Sequence, residues 1–347
     1  MIVFAIPGRL DTPTGGYIYD RRIIDGLRAA GLHVEITQLS SLFPFPDAAA
    51  LNDAARELAS IPDGTVVVVD GLAGGAMPEE IEREAGRLRV VALVHHPLAR
   101  ETGLKQSVAD QLEASERRTL ASVRHVIVTS KATATLLTGE FGVGADCVSV
   151  VEPGTDPGTR ASGSAGRRLR LLCVASVTPR KGHVTLIRAL AEIADLDWTM
   201  TCVGSMQRDP VTPLRVWKEV AKAKLNDRIV FEGELLDTAS IAPYYDRADI
   251  FVLPTEYEGY GMAVAEALAH GLPVISTPTG GIDALVGSQA GILVPAGDVN
   301  ALAAAMRRLI TDNAERERLR AGAWAVGSRL PTWGDAARKF GAALANV

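Results

Sequence analysis

The chain has 347 residues, 47% hydrophobic and 22% charged, with 36 Lys and Arg against 41 Asp and Glu for a formal net charge of −5. That composition excludes a largely disordered chain, and the acidic balance argues against a nucleic-acid binder working mainly through charge. Three cysteines, Cys147, Cys173 and Cys202, with no Cys-x-x-Cys pair, exclude a disulfide scaffold and fit reduced thiols in a cytoplasmic protein.

Short apolar runs rich in Val and Ile predict strands at residues 2–6, 34–37, 66–69, 90–94, 125–128 and 148–151. Segments with charges at helical spacing lie between them at 17–30, 78–88 and 107–122. Continuous apolar strands alternating with helices indicate a parallel sheet covered on both faces. Residues 156–168 are small, polar and rich in Gly and Ser, the composition of a linker. The rhythm then restarts, with strands at 169–175, 198–203, 229–232, 250–253, 274–276 and 291–294. Helices are expected at 183–194, 211–223, 238–245, 261–270 and 299–311. A last helical stretch, 333–344, carries Trp333 and Phe340 as its apolar residues. The expected architecture is α/β, two doubly wound Rossmann-like domains, 1–155 and 169–330, facing across a cleft. Functional residues should follow strands, because ligands of such sheets sit at the carboxyl ends of strands.

The densest motif follows the strand at 250–253: Glu256-Tyr-Glu-Gly-Tyr-Gly-Met262, running into an apolar helix. Gly259 and Gly261 let backbone approach a ligand closely, and the free N–H groups near Met262 attract phosphate. Glu258 precedes the helix, and Glu266 lies eight residues later among Val264, Ala267 and Leu268. A carboxylate in an apolar helix needs a partner. Ribose hydroxyls, a neighbouring loop or a buried arginine would each serve. Arg180 and Lys181 lie just past another strand, where cations neutralise a diphosphate leaving group or simply form a solvated loop. Gly15 and Gly16 open the first helix, a turn suited to an anion or sugar. Val94-His95-His96-Pro97 ends a strand. A histidine there contacts a sugar hydroxyl, or merely bonds backbone. No dinucleotide fingerprint follows the first strand, which disfavours an oxidoreductase, and no P-loop occurs.

The stretch from Pro254 to Val274, with Glu258 and Glu266 separated by seven residues, resembles the signature of retaining glycosyltransferases of family 4, or glycosyl transferases group 1. Residues 228–233, 248–254 and 291–298 resemble further parts of that family, so the likeness covers most of the C-terminal half. It implies the GT-B fold, with an acceptor-side first domain, a nucleotide-sugar-binding second domain, and a last helix, 331–347, crossing back to the first. It implies catalytic roles for His95, Lys181 and Glu258. Donor binding would fall to Gly15, Gly16, Arg180, Lys181, Phe231, Glu258, Gly259, Tyr260, Gly261, Met262 and Glu266, with Glu258 on the sugar and Glu266 on the ribose. Ser176 stands where the family often has an arginine; Arg180 offers that charge from another position.

The activity implied is transfer of a hexosyl group from a nucleoside diphosphate sugar, a UDP- or GDP-sugar first, to a hydroxyl acceptor. It proceeds with retention by a front-face route, in carbohydrate biosynthesis, with no cofactor and no metal. A catalytically silent nucleotide-sugar-binding protein and a sugar-nucleotide epimerase on the same fold remain the alternatives. The acceptor would be a small molecule, a lipid or an oligosaccharide, and no nucleic acid is expected. No apolar run reaches the roughly 18 residues of a membrane span, so no transmembrane segment is expected. The location implied is the cytoplasm, with peripheral contact at the inner membrane face as the variant. Residues 1–155 hold 14 Lys and Arg against 20 Asp and Glu, so no basic docking face stands out.

Overall fold

The computed structural model describes residues 1–164, 168–235 and 238–347. They divide into two compact units, Met1–Gly154 with Pro331–Val347, and Thr155–Leu330.

The first unit begins with β1 (Ile2–Pro7), α1 (Gly15–Ala29), β2 (Val34–Leu39), α2 (Ala48–Ser60), β3 (Val66–Asp70) and the short α3 (Gly71–Gly74). It continues with α4 (Pro78–Glu84), β4 (Arg89–Val94), α5 (Gln106–Ser122), β5 (His125–Val128), α6 (Lys131–Glu140) and β6 (Val148–Val150). The sheet is parallel, in the order β2-β1-β3-β4-β5-β6. β1 and β3 are buried along their whole length, because helices cover both faces of the sheet. The order reverses between β1 and β3, so the loops after these strands turn to opposite faces and leave a crevice at their carboxyl ends.

The second unit repeats the plan. It contains β7 (Leu169–Val174), α7 (His183–Ala191), β8 (Trp198–Val203), α8 (Thr212–Lys222), β9 (Ile229–Gly233), α9 (Thr238–Arg247) and β10 (Ile250–Leu253). Then come α10 (Met262–Ala269), β11 (Val274–Ser276), α11 (Ile282–Val286), β12 (Gly291–Leu293), α12 (Val299–Thr311) and α13 (Asn313–Gly327). Its parallel order is β12-β11-β10-β7-β8-β9, with the reversal between β10 and β7. Among the described residues one buried cluster fills it, from Leu171 and Leu172 on β7 to Leu302 and Met306 on α12.

The final helix, α14 (Trp333–Ala345), belongs to the first unit. A capping box between Thr332 and Asp335 starts it. Its buried Phe340 stacks on Phe4 of β1 at 5.8 Å between centroids. Gly26 of α1 lets the two helices touch, since a Cβ there would collide with that of Ala337. Of the segment read as a linker, residues 156–164 lie against the second unit. Ala161 N–H donates to the His270 carbonyl at 2.9 Å, and Gly163 N–H to that of Asp246 at 3.0 Å. Residues 165–167 of that segment lie outside the described residues.

Candidate active site

In the second unit the switch point carries the loops that follow β7 and β10. They are stitched together by backbone: Glu256 N–H donates to the Arg180 carbonyl at 2.7 Å. Gly182, at φ +70°, makes this approach feasible, because a Cβ there would run into the Pro254 carbonyl oxygen. The result brings Lys181 and Glu258 into an ion pair, with Arg180 Nη1 3.7 Å from the other Glu258 oxygen. Arg180 also donates to the Tyr257 carbonyl at 2.9 Å. Lys181 and Glu258 are 16% and 15% exposed, enough to meet a ligand but little enough that their charges matter. Burial pulls the Lys181 pKa below the usual ammonium value, with Glu258 resisting.

Gly261, at φ +101°, caps α10, so the helix starts at Met262 rather than one residue earlier. Its first turn has no side-chain cap, which leaves donor groups facing the loop over Gly259–Met262. The loop after β11, which the sequence reading did not single out, braces this segment. Gly281 N–H donates to the Gly259 carbonyl at 3.0 Å, and a Cβ on Gly280 would collide with the Glu258 carbonyl oxygen. Inside α10, Glu266 accepts a 2.7 Å hydrogen bond from the Tyr245 hydroxyl. Burial and the Glu266 charge raise the Tyr245 phenol well above its ordinary pKa, so it stays a donor. Tyr245 in turn stacks on His270 at 5.2 Å. Phe231 lies on the edge strand β9, 4.8 Å from the Trp217 ring of α8. The sequence does contain one Asp-x-Asp triplet, Asp195-Leu196-Asp197, before β8. Asp195 pairs with Arg307 and Asp197 with Arg168, at the edge opposite the carboxyl ends of the strands.

In the first unit Gly15 and Gly16 open α1, and a Cβ on Gly16 would meet the His95 ring at 3.3 Å. His95 follows β4. Its Nε2 lies 3.2 Å from Asp20 Oδ1 and 3.7 Å from Asp70 Oδ2. Asp20 is fully buried and Asp70 nearly so, while the His95 side chain is 21% exposed. Burial, then the Asp20 charge, pushes the Asp70 carboxyl up to about 8. Burial opposes a charge on His95, but Asp20 and Asp70 more than offset it and hold its pKa above the ordinary imidazole value. His96 points elsewhere, with its Nε2 3.3 Å from Glu101.

Residues 22–159 match the family described as Glycosyltransferase Family 4, and residues 168–312 match Glycosyl transferases group 1. The chain belongs to this glycosyltransferase family. The relatives and folds agree with it. Over 82% of this chain and 71% of its own length, the MMP alpha-(1->4)-mannosyltransferase of Mycolicibacterium hassiacum is 26% identical. A D-inositol 3-phosphate glycosyltransferase of Pseudarthrobacter chlorophenolicus is 26% identical over 87% of this chain and 83% of its own. Among solved structures, sucrose-phosphate synthase from Thermosynechococcus elongatus superposes with a TM-score of 0.84 at 21% identity, covering 100% of this chain and 99% of its own. Anabaena HepE in complex with UDP and glucose gives 0.78 at 17% identity over 99% of both chains. These likenesses make the fold GT-B.

In this glycosyltransferase, Lys181 and Glu258 meet in the loops after β7 and β10, and Glu266 lies inside α10. Sequence reasoning missed Asp20, Asp70 and the Gly280–Gly281 brace. The brace had a signal: Thr279-Gly280-Gly281 after a strand repeats the Thr14-Gly15-Gly16 pattern. The two aspartates had none, since they lie 75 and 25 positions from His95.

Proposed function

We propose that this glycosyltransferase moves a hexosyl group from a nucleoside diphosphate sugar to a hydroxyl acceptor with retention and without a metal. The observation that carries the reading is the meeting of Lys181, Arg180 and Glu258 beside the start of α10, at the switch point between β7 and β10. A helix N-terminus and two cations form a receptor for a diphosphate whose charge grows as the glycosidic bond breaks. Glu258 then orients sugar hydroxyls, and Glu266, already polarised by Tyr245, accepts from the ribose. His95 meets a sugar or acceptor hydroxyl.

In the front-face route the bond from the anomeric carbon to the leaving phosphate oxygen breaks first. The acceptor oxygen bonds the same face, and its proton passes to that phosphate oxygen. The enzyme contributes positioning and fixed charge rather than a nucleophile. The Lys181 and Arg180 charges take the part a metal would otherwise play. Anabaena HepE has been solved in complex with UDP and with UDP-glucose, and the relatives include a mannosyltransferase and a D-inositol 3-phosphate glycosyltransferase. UDP- and GDP-hexoses with small hydroxyl acceptors are therefore the first substrates to test. No described helix is long and apolar enough to cross a membrane.

The test is a panel of UDP- and GDP-hexoses against polyol phosphates and simple glycosides, with products followed by proton NMR. The expected outcome is one donor consumed and a product of unchanged anomeric configuration, with Glu258→Gln slower by about 100- to 1,000-fold. An inverted product would overturn the front-face route. Failure to release nucleoside diphosphate from any donor would overturn the activity.

A further inference from the structure

Asp20, Asp70 and His95 come from α1, the end of β3 and the loop after β4, and each offers one ligand atom within 4.8 Å of the others. The arrangement places two carboxyls in an interior where one bare carboxylate is already costly. Asp20 Oδ1 faces His95 Nε2, while Asp20 Oδ2 is buried with no donor heavy atom assigned to it. Asp70 Oδ1 accepts from Leu72 N–H at 2.7 Å, which turns its Oδ2 toward His95 and Asp20. A hydrogen on the Asp70 carboxyl, donated to Asp20, satisfies the orphaned oxygen and leaves one negative charge to meet the imidazole.

We propose that Asp20 and Asp70 are positioning residues that share one proton and clamp His95 by its Nε2, so that Nδ1 is the nitrogen turned to a substrate hydroxyl. The proposal rests on reading His95 as a substrate contact. The ring is also fixed on its other sides. Tyr19 meets it edge-on at 5.3 Å, and Gly16 lies against its Cδ2 edge. Thr129 Oγ1 holds the His95 carbonyl at 3.3 Å. Asp20, Asp70 and Tyr19 are the titratable groups around the imidazole among the described residues. Tyr19 is kept neutral by burial and its hydroxyl donates to the Val151 carbonyl. The proton does the work that a small cation would do among the same three atoms, and the charges balance without one.

Two readouts separate the clamp from the catalytic reading. The first is nitrogen NMR of the histidine rings in the full chain, with His95 assigned through His95→Gln. It needs neither donor nor acceptor. The expected result is a proton retained on Nε2 and titration above the ordinary imidazole value, which returns toward that value in Asp20→Asn. The second is steady-state transfer. Asp20→Asn should lower kcat about 100-fold with KM for the donor little changed. Asp70→Asn keeps a hydrogen directed at Asp20, so it should lose less than Asp20→Asn. Ordinary titration of His95 in the parent chain would overturn the clamp, even if transfer were never detected. An altered NMR signature with kcat intact would overturn the positioning role alone. Zinc or magnesium that raises Tm in the parent but not in Asp20→Asn would replace the shared proton with a cation.

Discussion

At Asp70 a single carboxyl makes stability depend on pH in an unusual direction. In an unfolded chain it ionises near 3.9, whereas in the fold burial and Asp20 hold it at about 8. Between those values the native protein keeps a proton that the unfolded chain has released, so stability falls as pH rises and levels off above about 8. The raised His95 acts in the same sense, its contribution being lost as pH climbs through its folded value. Asp70→Asn has no proton to lose. Its Tm relative to the parent should therefore improve steadily from about pH 5 to about pH 8, and a flat difference would mean that Asp70 ionises as an exposed aspartate does. The lysine at the other switch point makes a simpler case. Lys181→Ala removes one of the cations beside Glu258 and, on the proposed reading, one charge that faces the diphosphate. A hydrogen bond to a charged group is worth about 1.5–3 kcal/mol, so the Kd for a nucleoside diphosphate should rise roughly 10- to 100-fold. An unchanged Kd, read by calorimetry, would move the phosphate site elsewhere.

At the scale of the element, strands were the most legible part of the chain. Residues 66–69 and Ile250–Leu253 are unbroken apolar runs because both faces of each sheet are covered, and such runs announce themselves locally. Besides the short α3 and α11, three helices are not expected from the sequence: α2, α6 and α13. Their start signals were present, since Asp47, Ser130 and Asp312 each accept a hydrogen bond from the third residue beyond them. Their apolar faces are narrow and rich in Ala and Thr, so periodicity alone did not reveal them. The glutamate pair around α10 was legible because it is local to one strand–turn–helix unit. The brace from the loop after β11 shows in the sequence only as a repeated Thr-Gly-Gly, because the segment it touches, at Glu258 and Gly259, belongs to another strand–turn–helix unit. Gly280 sits at φ +57° with its α-carbon against the Glu258 carbonyl. Gly280→Ala must move one of those backbones, so a destabilisation of about 1–3 kcal/mol is expected. A fall in kcat exceeding that of an exposed glycine such as Gly297→Ala would accompany it. Wild-type stability and kcat in Gly280→Ala would show that the loop does not hold Glu258 in place.

At the scale of the molecule, the two units have separate cores, and the last helix contributes to the first of them. Phe340 and Ala336 are fully buried in the cluster around Phe4 and Ile23, while the second unit closes its own cluster between Thr155 and Leu330. Ligands and core mutations should therefore act on different units. Phe340→Ala removes a buried ring and should cost about 3–5 kcal/mol in the first unit. A nucleoside diphosphate at about 100 times its Kd should add roughly 2.7 kcal/mol to the native state that binds it. If the site is the one after β7 and β10, amide exchange with UDP or GDP should slow at residues 175–182 and 254–264. The amides buried around Phe340 should keep their rates. Carrying both measurements into one chain makes the argument strict: Phe340→Ala should loosen the first core without changing nucleotide protection in the second unit. Protection centred on the loops after β1 and β3 instead would place the nucleotide on the wrong sheet for a transferase of this family.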